Sequence, residues 1–165
     1  MPRTSTIAGL CLAVAGLVPV VAGADPAKPR EYVTVAEQTH VDRAIDVVWK
    51  KVGGYCDIGA WLKTTCVITN GLDGVGANRL IAGKVDEVLV ARTATAYTYA
   101  QPMAETIYHG TVEVLPDGAG AKIIYALVYD VSALPDAAAK ASYSAQKIKF
   151  LKGMLATMKQ ISEAP

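Results

Sequence analysis

Residues 61–108 read WLKTTCVITNGLDGVGANRLIAGKVDEVLVARTATAYTYAQPMAETIY. A tryptophan is followed by a loop in which three glycines, Gly71, Gly74 and Gly76, permit a tight turn. Beyond the loop, β-branched and alternating segments predict short strands, with Arg79 and Glu87 on successive strands. The predicted strands of this stretch and of its continuation cover residues 64–69, 77–82, 84–91, 93–100, 106–115 and 122–131.

The segments on either side complete the pattern. Residues 31–41 alternate and predict a first strand. Asp42 stands where a helix N-cap is expected, ahead of a helical repeat that Gly53 and Gly54 end, and a second short helix is predicted over 55–62. Residues 136–162 form the longest helical pattern, and one apolar face of it includes Phe150 and Met154. The chain therefore predicts one strand, two short helices, six strands and a long last helix.

This order resembles the START/Bet v 1-like (SRPBCC) superfamily, which includes proteins of the polyketide cyclase/dehydrase and lipid-transport type. The resemblance covers residues 25–165. It implies an α+β helix-grip fold, in which a curved antiparallel sheet of about seven strands wraps around the long C-terminal helix. Two short helices would follow the first strand, and an apolar cavity would lie between the sheet and the long helix.

A local resemblance to the abscisic-acid receptors concerns the glycine turn before Arg79 and the acid on the next strand. It implies that Glu87 points inward. The chain departs from those receptors at residues 82–84, where no proline-containing gate is found, and at residues 103–105, where their His-Arg-Leu latch is absent. Hormone-gated phosphatase control is therefore not implied.

Tyrosines dominate the predicted inner face of the sheet. Because side chains alternate along a strand, the apolar set of each strand should face the long helix. A dry core would favour phenylalanine, of which the chain has one, since each buried hydroxyl without a partner costs about 1–3 kcal/mol. We therefore expect a cavity with polar groups, while a packed core of satisfied tyrosines is the alternative. The inward tyrosines are Tyr97, Tyr99, Tyr108, Tyr125 and Tyr129.

Glu87 is the most informative single residue, although both faces of its strand are largely apolar and the pattern does not fix its direction. Facing inward, it would anchor a ligand or donate a proton, with a pKa raised by burial. Pairing with Arg79, or a place at the surface, are the alternatives. Trp61 and Leu62 are expected near the cavity mouth. With Phe150 and Met154 of the long helix they complete the predicted ligand-contacting set.

The N-terminus predicts a secretory signal peptide over residues 1–24. Arg3 precedes an apolar run, and small residues allow cleavage near Ala24. A membrane anchor is the alternative, but the run is shorter than the roughly 20 residues that a span needs. In an oxidising compartment Cys56 and Cys66 are expected to form a disulfide, with two buried thiols as the alternative.

These observations favour an exported, single-domain protein, periplasmic or secreted, that binds a small hydrophobic or amphiphilic molecule such as a lipid, sterol, aromatic or polyketide-like compound. A cyclase or dehydratase that uses a cavity Glu or Tyr for proton transfer is the alternative, and a domain with a filled core is a third reading. No cofactor, metal site or stable membrane insertion is expected. The near-neutral charge gives no reason to expect nucleic acid. The oligomeric state stays open.

Overall fold

The computed structural model describes residues 29–102, 104, 106 and 108–165. The predicted signal peptide, residues 1–24, and residues 103 and 105 of the latch region lie outside the described residues. The described part forms ten elements in the predicted order. They are β1 Tyr32–Val41, α1 Ile45–Val52, α2 Ile58–Leu62, β2 Cys66–Ile68, β3 Asn78–Ile81, β4 Val85–Arg92, β5 Ala96–Gln101, β6 Tyr108–Asp117, β7 Gly120–Asp130 and α3 Ala137–Glu163.

The strands form one seven-stranded sheet in the order β1-β7-β6-β5-β4-β3-β2, and every neighbouring pair is antiparallel. From β2 onward each strand pairs with the next one along the chain. Strands β1 and β2 do not pair, because α1 and α2 carry the chain between them from one edge of the sheet to the other. This arrangement confirms the predicted helix-grip fold.

Helix α3 packs against the sheet and against both short helices. Asp136 caps its start, because the carboxylate accepts a hydrogen bond from the Ala139 amide at 2.8 Å. The buried face of α3 then repeats at helical spacing, as the sequence predicts. That face consists of Leu151, Met154, Leu155, Met158 and Ser162.

Two helix starts differ from the sequence prediction. The N-cap of α1 is Ala44, whose side chain makes no capping bond, and not Asp42. The Asp42 carboxylate is held instead by His40, with Nε2 and Oδ1 3.0 Å apart. Helix α2 begins at Ile58 and not at residue 55, since the Asp57 carboxylate accepts the Gly54 amide at 2.6 Å and closes a turn there.

The predicted disulfide is confirmed, with the Sγ atoms of Cys56 and Cys66 2.06 Å apart. Cys56 lies in the turn before α2, and Cys66 opens the edge strand β2. The bond therefore ties the crossover helices to the short strand at the end of the sheet. Loop closure of this length stabilises a fold by about 2.5–3 kcal/mol in the chain-entropy account.

We predict that replacing both cysteines by serine lowers the free energy of unfolding by about 2.5–3 kcal/mol, because the unfolded chain regains the entropy of the open loop. Urea denaturation of the variant and of the wild type checks this value. Reduction of the wild type should give the same loss. Equal stability of the oxidised wild type and the double variant would show that the bond constrains nothing.

A charged cluster joins the end of β1 to the β6–β7 turn and to α3. The His40 ring lies between two carboxylates, with Nδ1 2.8 Å from Asp117 Oδ2 and Nε2 3.0 Å from Asp42 Oδ1. Lys159 Nζ donates to the His40 carbonyl at 2.8 Å. Hydrogen bonds to Asp117 first and to Asp42 second raise the pKa of the His40 imidazole above its ordinary value of 6.5.

A raised folded-state pKa means that protonated His40 stabilises the fold. This contribution is complete below the unfolded pKa, near 6.5, and is lost as the pH rises through the folded value. The wild type should therefore lose stability relative to His40→Gln as the pH rises from about 6 to about 8. Thermal denaturation across that range measures the difference, with His109→Gln as the control. A constant difference between wild type and His40→Gln would refute the linkage.

Candidate ligand-binding site

The centre of the site is a buried ion pair between β3 and β4. Arg79 and Glu87 lie directly opposite each other in the strand register. Arg79 donates to Glu87 Oε2 from Nε at 2.8 Å and from Nη2 at 2.5 Å, and its Nη1 donates to the Tyr55 carbonyl. The Arg79 side chain is fully buried and that of Glu87 is 2% exposed. Such a pair tolerates burial only when each charge has a partner.

Aromatic rings cover the faces of the same guanidinium. The Arg79 Cζ atom lies 4.2 Å from the ring centre of Tyr55, 4.7 Å from that of Tyr99 and 5.8 Å from that of Tyr97. A guanidinium is attracted to the negative face of an aromatic ring, and it is more weakly hydrated than an ammonium. These contacts therefore help to offset the loss of water around Arg79.

The carboxylate of Glu87 uses its two oxygens differently. Oε2 accepts both bonds from Arg79, while Oε1 lies 3.5 Å from Gln101 Nε2 and 3.5 Å from the Tyr108 hydroxyl. Burial raises the pKa of the Glu87 carboxyl, and the adjacent Arg79 guanidinium opposes that rise. The structure thus shows the pairing with Arg79 and the inward direction, and not a surface glutamate. Anchoring of a ligand stays a prediction.

A partly enclosed space of about 190 Å³, here called the inner cavity, is lined in part by Glu87. Tyr99 and Tyr125 line it, with their hydroxyls 2.6 Å apart. The Tyr99 ring lies over Gly110, where a Cβ atom would come within 2.2 Å of the ring. Glycine at this position therefore allows the ring to lie flat across β6. The lining residues are Ile58, Leu62, Ile81, Val85, Glu87, Tyr99, Gln101, Tyr108, Tyr125 and Phe150.

Two more open spaces adjoin the inner cavity and share lining residues with it. The helix groove, of about 420 Å³, is lined by Trp61, Leu62, Gln146, Lys149, Phe150, Gly153 and Met154. The lysine pocket, of about 320 Å³, is lined by Tyr108, Leu127, Tyr143, Gln146, Lys147 and Phe150. Leu62 and Phe150 are 37% and 40% exposed, so apolar side chains stand at the mouth of the inner cavity.

Lys147 of α3 lies beside two tyrosine rings. Its Nζ atom lies 5.0 Å from the ring centre of Tyr108 and 4.9 Å from that of Tyr143. Both are within cation–π range. The ammonium therefore stands at the wall of the lysine pocket, next to the tyrosine that also lines the inner cavity.

The predicted site residues separate into three groups. The inner cavity brings together Leu62, Glu87, Tyr99, Tyr108, Tyr125 and Phe150. The helix groove holds Trp61 and Met154, together with Leu62 and Phe150. Tyr97 and Tyr129 lie in the packed core: Tyr97 packs against Trp49 and Tyr55, and the Tyr129 hydroxyl donates to Ser144 Oγ at 2.8 Å.

Sequence reasoning missed several lining residues. Val85 shares the inner face of β4 with Glu87, so strict alternation would have found it. Ile81 and Gln101 stand at strand ends, where alternation gives little guidance. Lys147 contacts the Tyr143 ring one helical turn away on α3 and the Tyr108 ring, which only the fold brings beside it. Within the described ranges no group of three or more His, Cys, Asp or Glu side chains could hold a metal ion.

The fold and the partly enclosed, mainly apolar space define a class, the helix-grip proteins with a cavity between the sheet and the long helix. The chain belongs to the family described as polyketide cyclase/dehydrase and lipid transport, whose profile matches residues 32–162. This family has a fold that binds hydrophobic ligands. No curated protein matches the chain in sequence. Across the described residues, no helix combines the length and the apolar character that a membrane crossing requires.

Solved structures share the fold at low identity. A protein from Nitrosospira multiformis is 17% identical with a TM-score of 0.66, over 78% of this chain and 94% of its own. Ara h 8.0201 is 16% identical with a TM-score of 0.59, over 80% of this chain and 98% of its own. The di-domain ARO/CYC protein BexL of the BE-7585A biosynthetic pathway is 13% identical with a TM-score of 0.65, over 81% of this chain and 51% of its own.

We predict that Arg79→Met or Glu87→Met alone lowers the free energy of unfolding by about 3–5 kcal/mol, since each leaves one buried charge without its partner. The double replacement should cost less than the sum of the two, because no unpaired charge remains. Urea denaturation of the four proteins completes the cycle. Additive effects would show that the two side chains do not depend on each other.

Proposed function

We propose that this chain is an exported protein that binds a small hydrophobic or amphiphilic molecule in the inner cavity. The observation that carries the proposal is the combination of a partly enclosed space with the Glu87 carboxylate, whose Oε1 has donors at 3.5 Å, and with tyrosine hydroxyls. Few polar groups in a mainly apolar cavity are typical of sites that orient a small ligand. The proposed contacts are Leu62, Glu87, Tyr99, Tyr108, Tyr125 and Phe150.

The mouth of the cavity supports an amphiphilic ligand. Leu62 and Phe150 line both the inner cavity and the helix groove, so the two spaces adjoin each other at apolar side chains. Gln146 and Lys149 lie in the lining of the groove. A ligand would bury its apolar part inside, at about 25 cal/mol for each Å² removed from water, and leave its polar end near these side chains. Trp61 and Met154 would contact the part that lies in the groove.

Export is supported by two independent features. The first 24 residues have the composition of a signal peptide, with small residues before the expected cleavage site near Ala24. The Cys56–Cys66 disulfide suits an oxidising compartment such as the periplasm or the outside of the cell. A carrier or sensor of a small molecule in that compartment is the function that these features favour.

A proton-transfer enzyme of the cyclase or dehydratase type is the second candidate, and one observation favours it. The Glu87 carboxyl beside the inner cavity has a raised pKa, as a general acid requires. Its contact with Arg79 favours the ionised form, which suits an anchor better than a proton donor. If Glu87 is catalytic, Glu87→Gln should keep ligand binding and lose turnover.

A cavity-filling pair of variants on β4 tests the binding site. Val85 lines the inner cavity, whereas Val90 is 41% exposed on the same strand. Val85→Phe should weaken the binding of a neutral fluorescent phenyl-naphthylamine dye by about tenfold or more, since its ring occupies cavity space. Val90→Phe should leave dye binding unchanged. Equal dye binding by both variants, or none by the wild type, would refute an inner-cavity site.

A further inference from the structure

We propose that the group bound deepest in the inner cavity is a ring bearing a neutral hydroxyl, and that this hydroxyl donates a hydrogen bond to Glu87 Oε1. The inference rests on the proposed function, because it specifies the ligand of the same site. It concerns the chemistry of one part of the ligand, and it excludes a carboxylate or an ammonium at this depth.

The hydrogen-bonding capacity of the Glu87 carboxylate favours a ligand group that donates a hydrogen bond. Oε2 accepts two bonds from Arg79, at 2.5 and 2.8 Å. Among the described residues, the donors that reach Oε1 are Gln101 Nε2 and the Tyr108 hydroxyl, each at 3.5 Å. Ordinary N–H···O and O–H···O bonds measure about 2.5–3.2 Å. Oε1 therefore has room for a closer donor, and it lies on a residue that lines the inner cavity.

The charges of the Arg79–Glu87 pair favour a neutral ligand group. Arg79 and Glu87 neutralise each other, and all three guanidinium nitrogens already donate, two to Glu87 Oε2 and one to the Tyr55 carbonyl. Two of the five Arg79 N–H groups remain, but the lining of the inner cavity does not include Arg79, so a ligand carboxylate would face Oε1 instead. A ligand ammonium would place a second cation beside Arg79. Burial of an unpaired charge is costly. A neutral donor avoids that cost and is repelled neither by Oε1 nor by Arg79.

A pair of tyrosine hydroxyls lies in the lining of the same cavity. Tyr99 and Tyr125 share one hydrogen bond at 2.6 Å, which uses the proton of one hydroxyl. The proton of the other hydroxyl remains available to a ligand acceptor. The cavity wall therefore offers both an acceptor, Glu87 Oε1, and a donor. An alcohol or phenol hydroxyl can donate as well as accept, but an ether oxygen can only accept.

The size of the inner cavity limits the group that it can hold. The inner cavity measures about 190 Å³. An apolar protein cavity of about 150 Å³ is sufficient for benzene. A single ring with its hydroxyl therefore fits, and the rest of a larger ligand would extend towards Phe150 into the helix groove or the lysine pocket. An anionic end of the ligand would lie there, near Lys147 or Lys149, and not at Glu87.

Three para-butyl benzenes that differ only in the second para substituent test this inference: para-butylphenol, its methyl ether para-butylanisole, and para-butylbenzoate, each measured by isothermal titration calorimetry on the full mature chain. The phenol should bind about ten- to a hundredfold more tightly than the ether, because the hydroxyl donates to a charged acceptor. The ether is the more apolar of the two, so burial alone would favour it. The benzoate should bind more weakly than the phenol.

Each ranking has a distinct consequence. Equal binding of phenol and ether, or tightest binding of the benzoate, overturns the hydroxyl inference and leaves the cavity as a binding site. Binding of none of the three, together with failure to bind the dye, overturns the proposed function as well. The ratio of phenol to ether affinity separates recognition from general loss of structure, since a damaged cavity would weaken both probes.

Glu87→Gln should bring that ratio close to one, because a neutral amide oxygen is a weaker acceptor than a carboxylate. Glu37→Gln is the matched control, since Glu37 lies on β1 and pairs with Lys152 at 3.7 Å. It should keep the wild-type ratio. An unchanged ratio in Glu87→Gln contradicts the inference. If circular dichroism shows that Glu87→Gln is unfolded, the wild-type ranking of the three probes decides the question.

Discussion

The buried contact between the Arg79 guanidinium and the Glu87 carboxylate is the constraint on which the interior depends. Two charges removed from water require close partners, and the β3–β4 register supplies them by placing the residues directly opposite each other. The rings of Tyr55 and Tyr99 cover the guanidinium, and the Tyr55 carbonyl accepts a hydrogen bond from Arg79 Nη1. One interaction thus links two strands of the sheet to the segment ahead of α2.

The same contact gives the interior its chemistry. Because Arg79 occupies one oxygen of the carboxylate, the other has donors at 3.5 Å among the described residues, and Glu87 lines the inner cavity. One of the rings that cover the cation, Tyr99, also lines the inner cavity, so this side chain belongs to both the ion pair and the cavity wall. Gly110 makes this possible, since a side chain there would displace the Tyr99 ring. The polar centre and the apolar space are therefore parts of one arrangement.

Much of the fold could be predicted from the sequence, because alternation and helical spacing report directly on which face is buried. The inward direction of Tyr99, Tyr108 and Tyr125 followed from alternation alone. The start of α1 did not, since the Asp42 carboxylate binds His40 rather than the helix end. The direction of Glu87 was also ambiguous from the pattern, because both faces of β4 carry apolar residues.

The candidate site was less predictable than the fold, for a physical reason. Alternation tells which side chains point inward, but it does not tell which of them meet empty space. Tyr97 and Tyr99 share a face, yet Tyr97 is packed among Trp49 and Tyr55 while Tyr99 lines the cavity. That difference depends on where α1 and α3 lie over the sheet, which involves residues distant in sequence.

A crystal structure of the protein in complex with para-butylphenol tests the central claim most directly. The account predicts ring density between Leu62, Tyr99 and Phe150, with the hydroxyl oxygen within about 3 Å of Glu87 Oε1. The Arg79–Glu87 contact should be unchanged in that complex. Ring density confined to the helix groove, or a phenol hydroxyl turned away from Glu87, would contradict it.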